Sequence, residues 1–267
     1  MVLVAYLSFT EWDGLATPTW TGASNWSRLW NDSGMRNALW LSILLTAFSW
    51  LFQTPIALLL GVWAAGREKT RAVLSAIFFL PLLASSVALA LVWRSILDPN
   101  FGLAADFAEW FNLSNANVLG SPNGALAAIA FVAAWQFIPF HTLIYQGGAR
   151  QIPKSLYDAA AIDGAGRVRQ FFQITLPQLR NTVITSSVLM VVGALTYFDT
   201  VLILTRGGPG DGTTIVPYLM YETGFIAFDL GYASAIATAL VVTATGISLL
   251  MVRLTGFSRM QSTREGM

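Results

Sequence analysis

Five stretches of this sequence are apolar enough, and long enough, to cross a lipid bilayer. A hydrocarbon core of about 30 Å takes roughly 20 helical residues to cross. Runs of that kind lie near Ala38–Ala64, Val73–Ile96, Ala125–Tyr145, Val183–Leu204 and Gly231–Val252. Inside lipid such a run satisfies its backbone by coiling into a helix. A sixth run, Met1–Phe9, is too short to cross. It has no basic flank and no small-residue cleavage site, so it does not read as a signal peptide. It reads better as the outer end of a first helix that begins upstream, with an interfacial segment as the alternative. The expected architecture is an all-α membrane protein. It would be a polytopic helical bundle of five full spans plus a partial first helix, forming one transmembrane domain over 1–267 with no internal repeat.

The rest of the composition narrows the chemistry. Of 267 residues 55% are apolar and 11% charged, against roughly a quarter charged in soluble domains. Net charge is +1, so no basic footprint points to nucleic acid. There is no cysteine and one histidine. That excludes disulfides, thiolate metal sites and a cysteine nucleophile, and argues against a zinc site.

Basic residues set the orientation. Arg67, Lys69, Arg71, Arg150, Lys154, Arg167, Arg169, Arg180, Arg253, Arg259 and Arg264 fall on one side of the five spans. Only Arg28, Arg36, Arg94 and Arg206 fall on the other. The positive-inside rule puts the first group in the cytoplasm. Glu11, Asp13, Asp32, Asp98, Asp106, Glu109, Asp211, Glu222 and Asp229 then face outward. Phe107, Trp110 and Phe111 have the spacing of a short interfacial helix. Trp12, Trp20, Trp26, Trp30 and Trp40 suit an aromatic belt, and Arg94 is placed to snorkel.

Between the third and fourth runs lies a polar island, Tyr157–Ala165 followed by Phe171, Ile174, Leu176 and Pro177. Ser155 and Asp158 have the spacing of a capping box. Three alanines follow, and Asp163-Gly164 breaks the helix, with Gly164 suited to a left-handed turn. Arg167–Gln173 reads as a second helix with Val168, Phe171 and Phe172 on its apolar side, stopped by Leu176-Pro177. Such a small-faced helix-turn-helix fits either a groove on a partner or a connector lying on the membrane.

The island resembles the EAA loop of bacterial ABC-importer permease subunits, whose pattern is E-A-A-x-x-x-G followed by I-x-L-P. Here it stands as Asp158-Ala159-Ala160-Ala161-Ile162-Asp163-Gly164 and Ile174-Thr175-Leu176-Pro177. Asp163–Ala165 and Phe171 match the sugar-importer version, and Asp158 replaces the usual glutamate with a shorter reach. Leu204-Thr205-Arg206-Gly207-Gly208-Pro209, then Thr213, Tyr218, Tyr221, Phe225 and Gly231–Ala235, resembles the outer loop and last-helix entry of the carbohydrate branch, the maltose, trehalose and glycerol-phosphate type. Ser8-Phe9-Thr10 resembles the end of that branch's first helix.

The resemblance implies a permease subunit in a bacterial inner membrane, multi-pass, with its coupling loop at about 150–180 in the cytoplasm. It implies a second, non-identical permease subunit, two ATPase subunits, an extracytoplasmic solute-binding protein and a sugar substrate. The chain has no phosphate loop of the G-x-x-x-x-G-K-[ST] type, so ATP and Mg would sit on the ATPase subunits, and this chain would carry no cofactor and catalyse nothing itself. Coupling would fall to Asp158, Ala159, Ala160, Asp163, Gly164 and Ala165. Intramembrane polar groups are rare and often functional, which makes Gln53, Trp135, Gln136, Gly193, Tyr197 and Asp199 candidate pathway residues. In one helix Gly193, Tyr197 and Thr200 would share a face. The alternative is that these groups hold helices together. His141 would lie about 140° around its helix from Gln136. An ion-coupled secondary transporter built on Asp199 is a competing reading. An intramembrane enzyme using His141 is another, without a G-x-S-x-G elbow or a paired carboxylate in its favour.

Overall fold

The computed structural model describes residues 1–66, 76–103, 105 and 117–254. Arg67, Lys69, Arg71, Asp106, Glu109, Arg259, Arg264 and the stretch with Phe107, Trp110 and Phe111 lie outside those residues. In chain order the helices are α1 (Val2–Leu7), α2 (Ser24–Asn31), α3 (Ser33–Ala64), α4 (Ser86–Ile96), α5 (Pro122–Ala149), α6 (Lys154–Ile162), α7 (Arg180–Leu195), α8 (Asp199–Leu204), α9 (Val216–Tyr221) and α10 (Leu230–Leu254). The strands are a two-residue pair, β1 (Thr10–Glu11) and β2 (Thr19–Trp20), antiparallel with Thr10 opposite Trp20.

Among the described residues four segments are long and apolar enough to cross a membrane: Ser33–Ala64, Pro122–Ala149, Arg180–Leu204 and Leu230–Arg253. Their large apolar side chains are widely exposed, with Ile43, Leu51, Leu59, Val242 and Leu249 each more than half open. A soluble protein would bury that surface, whereas lipid covers it without penalty.

Two of the five expected spans are interrupted. Over Val73–Ile96 the described part is not one helix. A short turn at Leu80–Leu83 carries Pro81, and Ser85 is extended at φ −62°, ψ 137° before α4 begins. Proline removes one helical hydrogen bond, and the chain restarts one turn later. Over Val183–Leu204 the helix stops at Leu195 and restarts at Asp199. Thr196 sits at the break. Its hydroxyl folds back to the Val192 and Gly193 carbonyls at 3.0 and 3.2 Å, and its amide is shared between the same two. A threonine bonding backward competes with helix propagation.

The chain forms two compact units. The first comprises residues 1–49, 84–133 and 192–246. Its core holds Leu41, Leu45, Ile129, Val132, Val201 and Ile215, and a second cluster gathers Leu29, Met35, Ala38, Val216, Tyr232 and Ile236. The amino-terminal segment is tied to the start of α10. The amides of Leu230 and Gly231 donate to the Trp12 carbonyl. Gly231 lets the Thr10 carbonyl come closer than any Cβ would allow. Asn25 Nδ2 donates to the Ser8 and Thr10 carbonyls at 3.2 and 2.8 Å. Arg28 pairs with Asp229 at 2.6 Å and lies 4.0 Å over the Tyr232 ring. The Tyr232 hydroxyl donates to Asp32 at 2.7 Å. Burial works against the charged form of Asp32, but this bond and the amides of Gly34 and Met35 hold its carboxyl below the usual range. Of the tryptophans, Trp20, Trp30 and Trp40 are exposed as a belt requires. Trp26 instead packs on the core and donates to the Ser8 hydroxyl. Arg94 does more than snorkel: its Nη1 donates to the Ile203 carbonyl at 3.3 Å.

The second unit comprises 50–83, 134–191 and 247–267, of which residues 67–75 and 255–267 are not described. Ala57, Leu58, Ile138, Tyr145 and Leu179 form its core. Here α3 and α5 touch backbone to backbone. A Cβ on Gly61 would lie 2.6 Å from Tyr145 Cβ and 2.9 Å from the Thr142 carbonyl oxygen. Gly61→Val is therefore expected to cost about 1–3 kcal/mol through overpacking, read as a lower melting temperature in detergent. Gly147→Ala, where nothing lies within 4 Å, should stay within about 0.5 kcal/mol of the parent.

Candidate functional site

The polar island folds as a small, rigid, mostly exposed hairpin. Helix α6 starts at Lys154 with Pro153 at the cap position, extended at φ −60°, ψ 132°. The expected capping box does not form: Ser155 sits inside the first turn, and no side chain caps the helix. At the other end Gly164 takes φ +74°. The Ala165 amide reaches back to the Ala160 carbonyl at 2.8 Å and the Gly164 amide to Ala161 at 3.1 Å. That paired closure is a Schellman turn, which needs a left-handed residue where Gly164 stands. No atom lies within 4 Å of where a Gly164 Cβ would be.

Asp158, Ala159, Asp163 and Gly164 are exposed, and Ala160 and Ala165 are half-buried. Around them Ile162, Val168 and Phe172 are exposed by 86%, 73% and 61%. The hairpin thus offers two carboxylates amid apolar side chains with low alanine relief between them. Its base is pinned, since the Tyr157 hydroxyl and Thr175 Oγ1 are 2.9 Å apart. Gln170 Nε2 also donates to the Ala165 carbonyl at 2.9 Å. The second helix forms at Arg167–Gln170, but Leu176-Pro177 does not stop it. It continues through a π turn at Phe171–Thr175 into Leu176–Gln178. Pro177 falls in the first turn of that last piece, where its missing N–H costs least.

The pathway candidates divide between the units. In the second unit Gln53 and Gln136 are each 3% exposed, while Trp135 is 38% exposed. In the first unit Gly193 and Asp199 are exposed and Tyr197 is half-buried. The break at Thr196 removes the single helical face expected for Gly193, Tyr197 and Thr200. Tyr197 and Thr200 still meet, hydroxyl to hydroxyl at 2.7 Å. Asp199 opens α8, where a carboxylate complements the helix dipole.

Sequence reasoning named Tyr221, Phe225 and His141 but not the partners they meet. In the first unit Tyr221 stacks on Phe225 at 5.7 Å and packs on Phe198 at 5.3 Å. Tyr221 and Phe225 are one helical turn apart, but Phe198 lies 23 residues before Tyr221, so no periodicity links it to them. In the second unit Trp50 Nε1 donates to Ser187 at 2.9 Å, and His141 Nδ1 lies 2.8 Å from Ser186 Oγ. A serine–histidine pair alone is not a catalytic triad, and among the described residues no carboxylate bonds to that ring. The pairs join helices, as intramembrane polar groups commonly do.

The outer-loop motif is a closed structure. Arg206 and Asp211 have φ of +52° and +60°, and Gly207 has +80°. A Cβ on Gly207 would strike Thr214 Oγ1 and Tyr218 Cε1, both at 2.6 Å. Thr213, fully buried, holds the loop shut. Its hydroxyl donates to the Gly208 carbonyl at 2.9 Å and meets Thr205 Oγ1 at 2.8 Å, while its amide donates to the Gly207 carbonyl.

Comparison with known proteins agrees with this geometry. Residues 57–257 match the family described as "Binding-protein-dependent transport system inner membrane component". The chain is similar to a probable ABC transporter permease protein of Bacillus subtilis, YurN, with 30% identity over 93% of this chain and 87% of that one. It is similar to the trehalose/maltose transport system permease protein MalF of Thermococcus litoralis, with 32% identity over 85% and 80% of the two chains. Its fold is that of a chain in the crystal structure of a bacterial alginate ABC transporter in complex with an alginate pentasaccharide-bound periplasmic protein. There the TM-score is 0.80 at 22% identity over 88% and 82% of the chains.

Thr213→Val is expected to open the Leu204–Pro209 loop by leaving the Gly208 carbonyl without its donor, at about 1–3 kcal/mol. Hydrogen exchange at Gly208 and Thr213 should accelerate accordingly, while Thr213→Ser keeps the parent rate. Equal exchange in the valine variant would show that the hydroxyl does not hold the loop.

Proposed function

The chain belongs to the family of binding-protein-dependent transport system inner membrane components, and we propose that it serves as the transmembrane subunit of an ATP-driven sugar importer. It is a multi-pass membrane protein of the permease type. The whole chain acts as one permease domain, with residues 150–180 as a cytoplasmic coupling loop. A second, non-identical permease subunit completes the pathway, and two ATPase subunits carry ATP and Mg. A solute-binding protein delivers sugar from outside. Sugar, as the substrate class, rests on the carbohydrate relatives and on the Gly-Gly-Pro loop they resemble.

The observation that carries this reading is the α6 hairpin. A helix closed by a Schellman turn, pinned at Tyr157–Thr175 and exposing Asp158, Asp163 and Ile162, is built to be held by another protein. Asp158, Ala159, Ala160, Asp163, Gly164 and Ala165 form the surface seated in the ATPase. Closure of the ATPases on ATP would then carry the hairpin, and the helices joined to it, between two rigid-body arrangements. For the pathway, exposure favours Trp135, Gly193 and Asp199, with Tyr197 beside them. An aromatic face and a carboxylate suit a sugar, whose C–H faces stack and whose hydroxyls pair. Burial of Gln53 and Gln136 fits helix–helix bonding better than lining.

The test is ATPase activity of the assembled importer in liposomes, with binding protein, with and without sugar. Gly164→Val adds no clash but forces φ +74° on a branched residue, about 1–2 kcal/mol against the turn. The expected result is a complex that assembles but loses most of its sugar-stimulated ATPase activity and uptake. Gly166→Ala, at an ordinary φ of −69° with open space around it, should behave as the parent. Full coupling in Gly164→Val would remove α6 as the coupling element. Uptake by this chain alone, driven by an ion gradient, would overturn the importer reading.

A further inference from the structure

Where α3 and α5 end, the second unit opens into a cleft of about 850 Å³. Its walls include Ala65 and Gly66 after α3, Ala149 and Arg150 at the end of α5, and Lys154 and Tyr157 on α6. The two long helices touch at Gly61 and Tyr145. Beyond that crossing Gln146 Nε2 ties α5 to the last α3 carbonyl, Ala64, at 2.7 Å. The residues after the tie are small, so the walls stand apart instead of closing. The Tyr157 ring is fixed by its bond to Thr175, which keeps α6 at the edge of the cleft.

Among the described residues the charge lining this cleft is unbalanced. Arg150 and Lys154 both line it, and among the described residues the sole ion pair is Arg28–Asp229 in the other unit. Two cations on one concave wall repel each other and are stabilised by an anion placed between them. Depth in the bilayer says which anion is at hand. Helices of 32 and 28 residues are about 48 and 42 Å long at 1.5 Å per residue. A bilayer measures about 40–45 Å with its headgroup layers, so helices of this length reach headgroup level. The positive-inside rule makes that leaflet the cytoplasmic one, which carries the anionic lipids.

We propose that this cleft binds the phosphate headgroup of an anionic phospholipid between Arg150 and Lys154, at the foot of the coupling helix. The inference rests on the membrane orientation given above but not on the transported substrate. Small residues at Ala65, Gly66 and Ala149 leave room for the headgroup, and Ile152, which also lines the cleft, offers an apolar contact to the first acyl carbons.

The test uses the assembled importer, purified and reconstituted into nanodiscs of phosphatidylcholine alone or with phosphatidylglycerol added. Retained lipid is then counted by native mass spectrometry. The parent should retain phosphatidylglycerol in preference to phosphatidylcholine. The double variant Arg150→Gln, Lys154→Gln should lose that preference by about ten- to thirtyfold, two surface-level cations' worth of attraction. The charge-keeping pair Arg150→Lys, Lys154→Arg should restore most of it. Arg169→Gln, an exposed cation on the same loop outside the cleft, should leave the lipid preference unchanged. Undiminished retention in the double glutamine variant would overturn the site. Inorganic phosphate that displaces the lipid at equal concentration would make it a soluble-anion site and overturn the lipid assignment. Sugar-stimulated ATPase activity measured on the same samples separates failure of this site from failure of the importer reading: activity without lipid preference rejects only the cleft.

Discussion

Inside a bilayer, a backbone N–H or C=O without a partner costs several kcal/mol, because no water is there to replace the lost bond. An unbroken helix without proline meets this requirement along its interior by itself, and α10 shows it. At several places where this chain departs from an unbroken helix, a side chain or a backward bond stands in. At the 196–198 break the Thr196 hydroxyl takes up the Val192 and Gly193 carbonyls. The Ile203 carbonyl near the end of α8 accepts from Arg94, and that of Ala64 at the end of α3 accepts from Gln146. The first amide of α9, on Val216, donates to Ser42 Oγ at 3.0 Å. Some of the polar residues that make this sequence look unusual for lipid are those substitutions. Most sit where a helix ends, so their positions follow from backbone chemistry before any function is considered.

Packing adds a second constraint with the opposite residue preference. Lipid gives no hydrophobic reward for bringing helices together, so association depends on close van der Waals contact. Gly61 against Tyr145 and Gly148 against Leu179 and Thr182 provide it in the second unit. Large apolar side chains remain outside for lipid to cover. In the first unit the work is shared with polar ties at the start of α10, the Trp12 carbonyl and the Arg28–Asp229 pair. That pair is half exposed and contributes little alone. The backbone bonds beside it, which hold the start of α10, carry more of the attachment.

How much of this was readable in advance depended on the range of the interaction. The membrane class and the long spans α3, α5 and α10 follow from runs of apolar residues. The turn at Gly164 follows from a local rule, and the structure has it there with φ +74°. The break at Thr196 was missed because threonine inside an apolar run is ordinarily compatible with a helix. Only its bond back to Val192 reveals the stop. The capping box at Ser155 failed for a related reason: Pro153 already supplied the extended residue that begins α6, two positions before the serine that would have capped it. The pairings His141–Ser186, Trp50–Ser187 and Tyr221–Phe198 join segments distant in sequence. No period or spacing encodes them, and only the fold brings them together.

The same reasoning explains why α6 is suited to transmit motion, more than its motif does. A nine-residue helix is short enough to move as one piece, provided both ends are fixed to it. At its far end the Schellman bonds fold Gly164 and Ala165 back onto Ala160 and Ala161, so the turn cannot swing independently. At its near end Tyr157 is held by Thr175, which lies in the π turn leading toward α7. A push on the exposed carboxylates therefore reaches Thr175 through one helix and one hydrogen bond. A loop lacking either closure would absorb the displacement in its own dihedrals before any membrane helix felt it. Asp158, shorter than the glutamate of the related motif, keeps its charge close to the helix surface. If α6 couples to the ATPase as proposed, its rigidity, rather than the reach of any side chain, is the quantity on which that coupling would depend.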